Sequence, residues 1–256
     1  MADESRPASQ RYLREPEEVV MDLAVKAKQL TKTYGEDDTE VQALRDVSFE
    51  IPRGEFVVLQ GASGSGKTTL LNQIGALEPP TSGEVESNGF RLNGLDDDGR
   101  TEYRLKSVGF IFQFYNLVPS LTAYENVALI AELTGGDVEE RTEQVLHSVG
   151  LGDRMNHFPG QLSGGEQQRV SIARGLVKNP PLMLCDEPTG ALDTETGIQV
   201  LSLLRDITDT GDRTIVVVTH NTQISKIANR VIVLRDGEIV GTHHNDDPKS
   251  PDDVAW

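Results

Sequence analysis

Residues 56–74 run Phe-Val-Val-Leu-Gln60, Gly61-Ala-Ser-Gly-Ser-Gly-Lys-Thr68, then Thr-Leu-Leu-Asn-Gln-Ile74. A β-branched run, a glycine-rich turn and a helix-forming stretch in that order constrain the fold more than any other part of the chain. Gly61, Gly64 and Gly66 let backbone N–H groups converge without side-chain clashes. The helix expected over Thr68–Ile74 points its positive dipole end at the same place. Together with Ser63, Ser65 and Thr69 this makes a cradle for phosphate oxygens. Lys67 is placed to reach the β- and γ-phosphates, and the Thr68 hydroxyl to ligate Mg²⁺. A glycine turn without a ligand would need neither the strand before it nor the helix after it.

The same strand-then-polar logic recurs downstream. Leu182-Met-Leu-Cys-Asp186-Glu187 is an apolar run that ends in two acids, and Thr214-Ile-Val-Val-Val-Thr219 ends at His220. Open α/β sheets bind ligands at the carboxyl ends of their strands. Asp186 therefore reads as the magnesium-holding carboxylate, and Glu187 as the base that orients and deprotonates an attacking water. His220 reads as the group that holds the γ-phosphate, water and Glu187 in register. His147, His157, His243 and His244 lack such a position and read as structural. Cys185 reads as an inert core residue.

Further strands are expected over Val25–Thr33, Val47–Ile51 and Phe110–Phe112, with helical patterns between the later ones. That alternation predicts an α/β fold with a mainly parallel sheet and crossover helices. Val231-Ile-Val-Leu-Arg and Glu238-Ile-Val-Gly flank Asp236-Gly237, a hairpin signal. The stretch from about 115 to 178 reads as a helical insertion, including a helix over Val138–Val149 stopped by Gly150.

Within that insertion lies Leu162-Ser-Gly-Gly-Glu-Gln-Gln-Arg169. Ser163 and Glu166 form a capping box, so a helix is expected to start at Gly164 with its N–H groups and Ser163 open to an anion. An ordinary cap would not need Gly164-Gly165, which weaken a helix start unless something must approach closely. One chain seldom wraps two such donor sets around the same phosphates. The expected arrangement is two chains closing on shared ATP.

Composition narrows the classes. The chain has 256 residues, and its apolar runs fall far short of the roughly 20 residues that span a bilayer. Its first residues lack a basic-then-apolar leader, and the single cysteine excludes an internal disulfide. A cytoplasmic protein is expected, peripheral to the inner face of the membrane through a partner. A net charge of −17 argues against a nucleic-acid surface. The excess is scattered, with clusters at Asp96–Asp98 and Asp246–Asp247, and lysine is scarcer than arginine. Such a surface repels itself in dilute buffer, and the repulsion fades as the screening length drops to about 3 Å near 1 M salt. It reads as adaptation to a salty cytoplasm; the alternative is an ordinary acidic solvated surface.

With these residues in hand, the chain resembles the ATP-binding cassette ATPases of ABC transporters over roughly residues 24–242. The resemblance implies a P-loop NTPase with a RecA-like, mainly parallel core, an antiparallel β subdomain, and a helical signature subdomain at about 115–178. Polar, charged and aperiodic segments at 1–22 and 243–256 read as an acidic flexible arm and tail, which leaves 23–242 as the ATPase domain. The resemblance further implies that Tyr34 stacks on adenine, that Gln113 touches Mg²⁺ and water, and that Ala191-Leu192-Asp193 crosses a dimer interface. Gln113–Asn126 and Asp186–Asp193 are similar to cassettes of the lipoprotein-releasing and macrolide-exporter type. The implied function is an ATPase that dimerises around two Mg·ATP and drives a separate permease docked near Phe114–Pro119, where cargo choice would reside. The rival is a soluble cassette of DNA repair or translation. Those usually carry a long coiled-coil arm, and the interval between Gln113 and the signature has no room for one.

Overall fold

A computed structural model describes residues 22–254. The arm expected over 1–22 therefore lies outside the described residues, except Asp22. That residue is part of the fold: its carbonyl accepts the Arg53 N–H at 2.9 Å and its carboxylate pairs with Arg53 Nε at 2.7 Å.

The described residues form two sheets with helices packed against them. The first is antiparallel, with β1 (Leu23–Tyr34) and β2 (Val41–Pro52) joined by β4 (Ser82–Ser87) and β5 (Phe90–Arg91) in the order β2-β1-β4-β5. The turn between β4 and β5 uses Asn88 and Gly89, both at positive φ, which matches the right-handed twist of the paired strands.

The second sheet has the order β10-β9-β3-β8-β7-β6. Its strands are β3 (Phe56–Gln60), β6 (Val108–Ile111), β7 (Leu182–Asp186), β8 (Thr214–Thr219), β9 (Arg230–Arg235) and β10 (Glu238–His244). All pairings are parallel except β9 with β10. Every residue of β8 is buried, as are the first four of β3 and of β7. Continuous apolar runs are what a sheet covered on both faces requires.

Side chains alternate between two cores. Phe56, Val58, Ile215, Val217 and Cys185 join one cluster; Val57, Leu59, Val216, Val218 and Leu184 join the other. The second contains Leu70, Leu71 and Ile74 of α1 (Lys67–Ile74) together with inward residues of β1 and β2. The first contains residues of α3 (Ala123–Glu132), α4 (Val138–Ser148), α5 (Gly164–Leu176) and α6 (Thr194–Asp209). A further helix, α2 (Asp97–Ser107), precedes β6, and Asp96 caps it by accepting the Gly99 N–H at 2.8 Å. Because β3, β6, β7 and β8 are parallel, the loops that leave them emerge at one edge of the sheet.

Two departures from expectation bear on the site and on the end of the chain, while β1 and β2 simply extend beyond the expected Val25–Thr33 and Val47–Ile51. The strand expected over Phe110–Phe112 occupies Val108–Ile111, which releases Phe112 and Gln113 into the loop. The free tail expected from residue 243 is corrected: His243 and His244 complete β10, and Pro251 and Val254 are buried. Lys249 N–H bonds Lys226 O at 3.0 Å and Asn245 N–H bonds Asn229 O at 2.8 Å. Apolar Val254 has a place in the core shared with α6, and that outweighs the solvation of the neighbouring acids.

Candidate active site

At the common edge of the parallel strands lies a cleft of about 560 Å³ lined by Ser63, Gly64, Gly66, Lys67, Thr68, Thr69, Gln113, Asp186, Glu187 and His220. Ala43 and Val218 complete it, and neither was marked by the sequence. Gly66 caps α1 at φ 99°, and a Cβ there would lie 2.5 Å from Ala43 O, so only glycine fits. A Cβ at Gly61 would meet Leu234 O at 2.4 Å and the Ser65 hydroxyl at 2.5 Å. The loop is thus wedged between β2 and the β9–β10 turn.

Lys67 is buried and donates to Gly61 O at 2.9 Å and Ala62 O at 2.7 Å, so its ammonium bends back over its own loop. Burial lowers its pKa, opposed by the charges of Glu187 and Asp186. The Thr68 hydroxyl donates to Asp186 Oδ1 at 3.3 Å. Burial raises the Asp186 pKa, with the Thr68 hydrogen bond and Lys67 opposing and Glu187 adding to the rise. Two carboxylates on one strand end, one of them desolvated, form an electrostatic environment that a cation relieves.

Glu187 stands just past β7 in the left-handed region, at φ 47°. Its N–H bonds Val218 O at 3.0 Å, which ties it to β8. Its Oε1 accepts the His220 N–H at 3.1 Å and faces His220 Nδ1 at 2.8 Å, while its Oε2 receives the Thr219 hydroxyl at 3.3 Å. Thr219 closes the β8 run beside His220, and nothing in its local sequence signals this contact with Glu187. Cys185 is buried and its thiol is pushed up by desolvation, which keeps it inert.

Tyr34, Ser163, Gly164, Gly165 and Asp193 do not line this cleft. Tyr34, at the end of β1, is partly exposed; its hydroxyl bonds Glu78, and Lys32 Nζ lies 5.0 Å from its ring centroid. Ser163 caps α5 as expected: it accepts the Glu166 N–H at 3.3 Å while Glu166 Oε2 accepts the Ser163 N–H at 2.8 Å. The close approach that demands Gly165 lies inside the chain, since a Cβ there would sit 2.2 Å from Thr196 Cγ2. A Cβ at Gly164 would lie 3.0 Å from the Tyr115 hydroxyl. Both glycines thus have an internal packing reason that was not foreseen. Asp193 caps α6, accepting from the Thr196 N–H at 3.0 Å and the Thr196 hydroxyl at 2.7 Å.

Residues 44–190 match the family described as ABC transporter. The chain belongs to that family. An ABC transporter ATP-binding protein of Methanocaldococcus jannaschii is 46% identical over 222 residues, covering 84% of this chain and 94% of that one. The lipoprotein-releasing system ATP-binding protein LolD of Syntrophus aciditrophicus is 43% identical, covering 84% and 98%. The macrolide export ATP-binding/permease protein MacB of Hyphomonas neptunium is 46% identical over 86% of this chain but only 35% of its own length. Among solved structures, a dimeric ATP-binding cassette in a post-hydrolysis state bound to ADP and Pi superposes with TM-score 0.80 at 44% identity, covering 86% of this chain and 98% of that one. The chain is an ATP-hydrolysing, nucleotide-binding subunit of an ABC transporter, with similarity to the lipoprotein-releasing and macrolide-export cassettes. The DNA-repair or translation reading is set aside, because these relatives are transporter components. No helix among the described residues is long and apolar enough to cross a membrane.

Proposed function

We propose that two copies of the chain close on two ATP molecules, each held between the Gly61–Thr69 loop of one copy and Ser163–Gly165 of the other. The observation that carries this is the division of the donors. Ser163 is exposed at the head of α5, outside the cleft its own chain completes. A second copy can bring Ser163 to that cleft. A related cassette that is dimeric and bound to ADP and Pi supports dimerisation of the nucleotide-bound chain. Tyr34 offers a ring for adenine, and Asp193, at the head of α6, extends the contact surface toward the second copy.

Mg²⁺ fits the donors at hand. Thr68, Asp186 and Gln113 supply hard oxygens, and among the described residues no cluster of three or more His, Cys, Asp or Glu could hold a metal alone. A cation shared with phosphates is the type of site such a donor set makes. When bound, Mg²⁺ neutralises charge that develops on the phosphoryl oxygens.

The residues of the chain do the rest. Lys67 leaves the carbonyls of Gly61 and Ala62 for the β- and γ-phosphates. An ionised carboxylate only accepts, so His220 Nδ1 carries the proton toward Glu187 Oε1. Oε2, held only by a long bond from Thr219, keeps lone pairs for the attacking water and takes its proton. Loss of the γ-phosphate removes the bridge between the copies, and they part; the closed state is favoured only while its extra contacts exist. Phe114, 75% exposed, and the half-exposed Val118 offer the docking surface for a permease, which would hold the chain at the inner face of the membrane. The carboxylate-rich surface is read as adaptation to high salt.

Glu187→Gln tests the scheme. Phosphate release should fall by roughly 10²–10⁴, while ATP still shifts the protein to a dimer in analytical ultracentrifugation. Unchanged turnover would remove Glu187 from the role of base, and an ATP-insensitive monomer would remove the two-copy cleft.

A further inference from the structure

The loop that follows β6 carries Gln113 into the cleft and then makes a turn that most residues avoid. Tyr115 and Asn116 are consecutive and both left-handed, at φ 55° and φ 52°. Non-glycine residues adopt that region uncommonly, and two in a row persist only where surrounding contacts over-determine them. The contacts come from α5. Arg174 sits ten residues past Gly164, with its side chain directed back along the helix as helical geometry favours. One guanidinium nitrogen donates to Tyr115 O at 2.7 Å and another to Asn116 O. Among the described residues no carboxylate pairs with Arg174; its donors are committed to these carbonyls. At the other end of α5, Gly164 leaves room for the Tyr115 hydroxyl. The loop therefore lies along α5, anchored near the head of the helix and at its last turn.

We infer that Arg174 is a positioning residue for hydrolysis: it fixes the Gln113–Asn116 loop to the helix that Ser163 caps, so that Gln113 and Ser163 move as one body. The planar fork of arginine gives each of the two adjacent carbonyls its own nitrogen in a fixed geometry, whereas lysine would offer one ammonium on a flexible stem. With the bridge lost, the turn keeps the Tyr115 N–H bond to Phe112 O at 3.3 Å and the Asn116 N–H bond to Phe114 O, but both are internal to the loop and neither ties it to α5, so Gln113 is free to leave the cleft. The inference rests on the proposed role of Gln113 at the reacting end of the cleft.

The test uses the full-length protein with Arg174→Met, which keeps the apolar stem packed, and Arg174→Lys, which keeps charge and one donor direction. Amide exchange over residues 114–117 should quicken by at least roughly tenfold in Arg174→Met, since one lost hydrogen bond is worth about that factor and two are lost, with less change in Arg174→Lys. The kcat should fall by roughly ten- to a hundredfold with KM for ATP nearly unchanged, as expected when a positioning contact and not phosphate binding is lost. In a Gln113→Ala background the same Arg174→Met change should cost less than about twofold, since contacts that act through one residue are not additive. Unchanged exchange in the loop overturns the inference, as does an equal loss of kcat in both backgrounds. Should Arg174→Met fail to fold, Arg174→Lys alone decides by the same exchange and kcat measurements. A Gln113→Ala variant with wild-type kcat, beside quickened exchange in Arg174→Met, overturns the assignment of Gln113 and leaves the loop anchor standing.

Discussion

Glu187 Oε1 receives His220 twice, from the backbone N–H at 3.1 Å and from ring Nδ1 at 2.8 Å, although the residues stand 33 apart in the chain. The backbone bond survives any substitution at 220 except proline, but the ring bond does not. His220→Ala therefore frees Glu187 to rotate without moving it from the end of β7. Turnover should drop by about a hundredfold, while binding of a fluorescent ATP analogue stays within about twofold. A variant with full turnover would show that the ring bond orients nothing. A variant that no longer binds nucleotide would show that His220 acts on the ground state.

The contact between Gly165 and Thr196 gives a separate prediction, on stability alone. Gly165→Ala forces a methyl against Thr196 Cγ2, at 2.2 Å before relaxation. Overpacking of this kind costs about 1–3 kcal/mol, and alanine's better helix propensity offsets less than about 1 kcal/mol of it. Thr196→Ser removes the clashing methyl but keeps the hydroxyl that bonds Asp193 at 2.7 Å. In urea melts the double variant should recover most of the loss. Additive losses would place the strain elsewhere in α5.

The legible parts of this fold are those whose determinants are local. β7 and β8 were marked to the residue, because strands buried on both faces leave unbroken apolar runs. The hairpin at Asp236-Gly237 was legible because both residues must be left-handed, and they stand at φ 50° and 82°. Ser82–Ser87 escaped notice: its polar residues become a strand only by pairing with β1. Asp96–Asp98 looked like surface charge, yet Asp96 is the cap of α2. In the site, Glu187 and His220 follow apolar strands and announce themselves. Arg174 and Asn116 meet across 58 residues, and no local pattern carries such a pairing.

Acid should weaken the capped heads of α3 and α5. Backbone N–H bonds from Ser163 hold Glu166 below its ordinary value of 4.5, and bonds from Thr122 do the same for Glu125 at the head of α3. A carboxyl with a depressed folded pKa binds fewer protons in the folded state. Its contribution is complete above the unfolded value and is lost as the pH falls through the folded one. Stability should thus be flat well above pH 4.5 and decline below it. Glu166→Gln should make the decline shallower in guanidinium melts taken across that range, while lowering stability at pH 7. An unaltered slope would mean that the Ser163–Glu166 box contributes nothing to acid sensitivity.

A net charge of −17 on 256 residues gives the last prediction. Several positive groups are already committed: Lys26 to Glu50, Lys32 to Glu78, Arg53 to Asp22, and Arg230 to Glu55 at 2.7 Å. Arg91, Lys106 and Arg205 pair with Glu86, Glu102 and Asp209 as well, but 41 acids against 24 basic residues leave a self-repelling excess that cannot be paired one to one. Raising KCl from about 0.1 M to 1 M shortens the screening length from about 10 Å to about 3 Å and removes most of that repulsion. It also weakens the exposed ion pairs, but these contribute at most about 1 kcal/mol each. Repulsion should dominate, so the thermal midpoint should rise by several degrees with KCl and respond little to isosmotic sucrose. Reversing scattered Asp and Glu residues to lysine should flatten the salt response without changing the nucleotide cleft. A midpoint that falls with KCl would show that the ion pairs outweigh the repulsion, and that the surface is acidic without being adapted to salt.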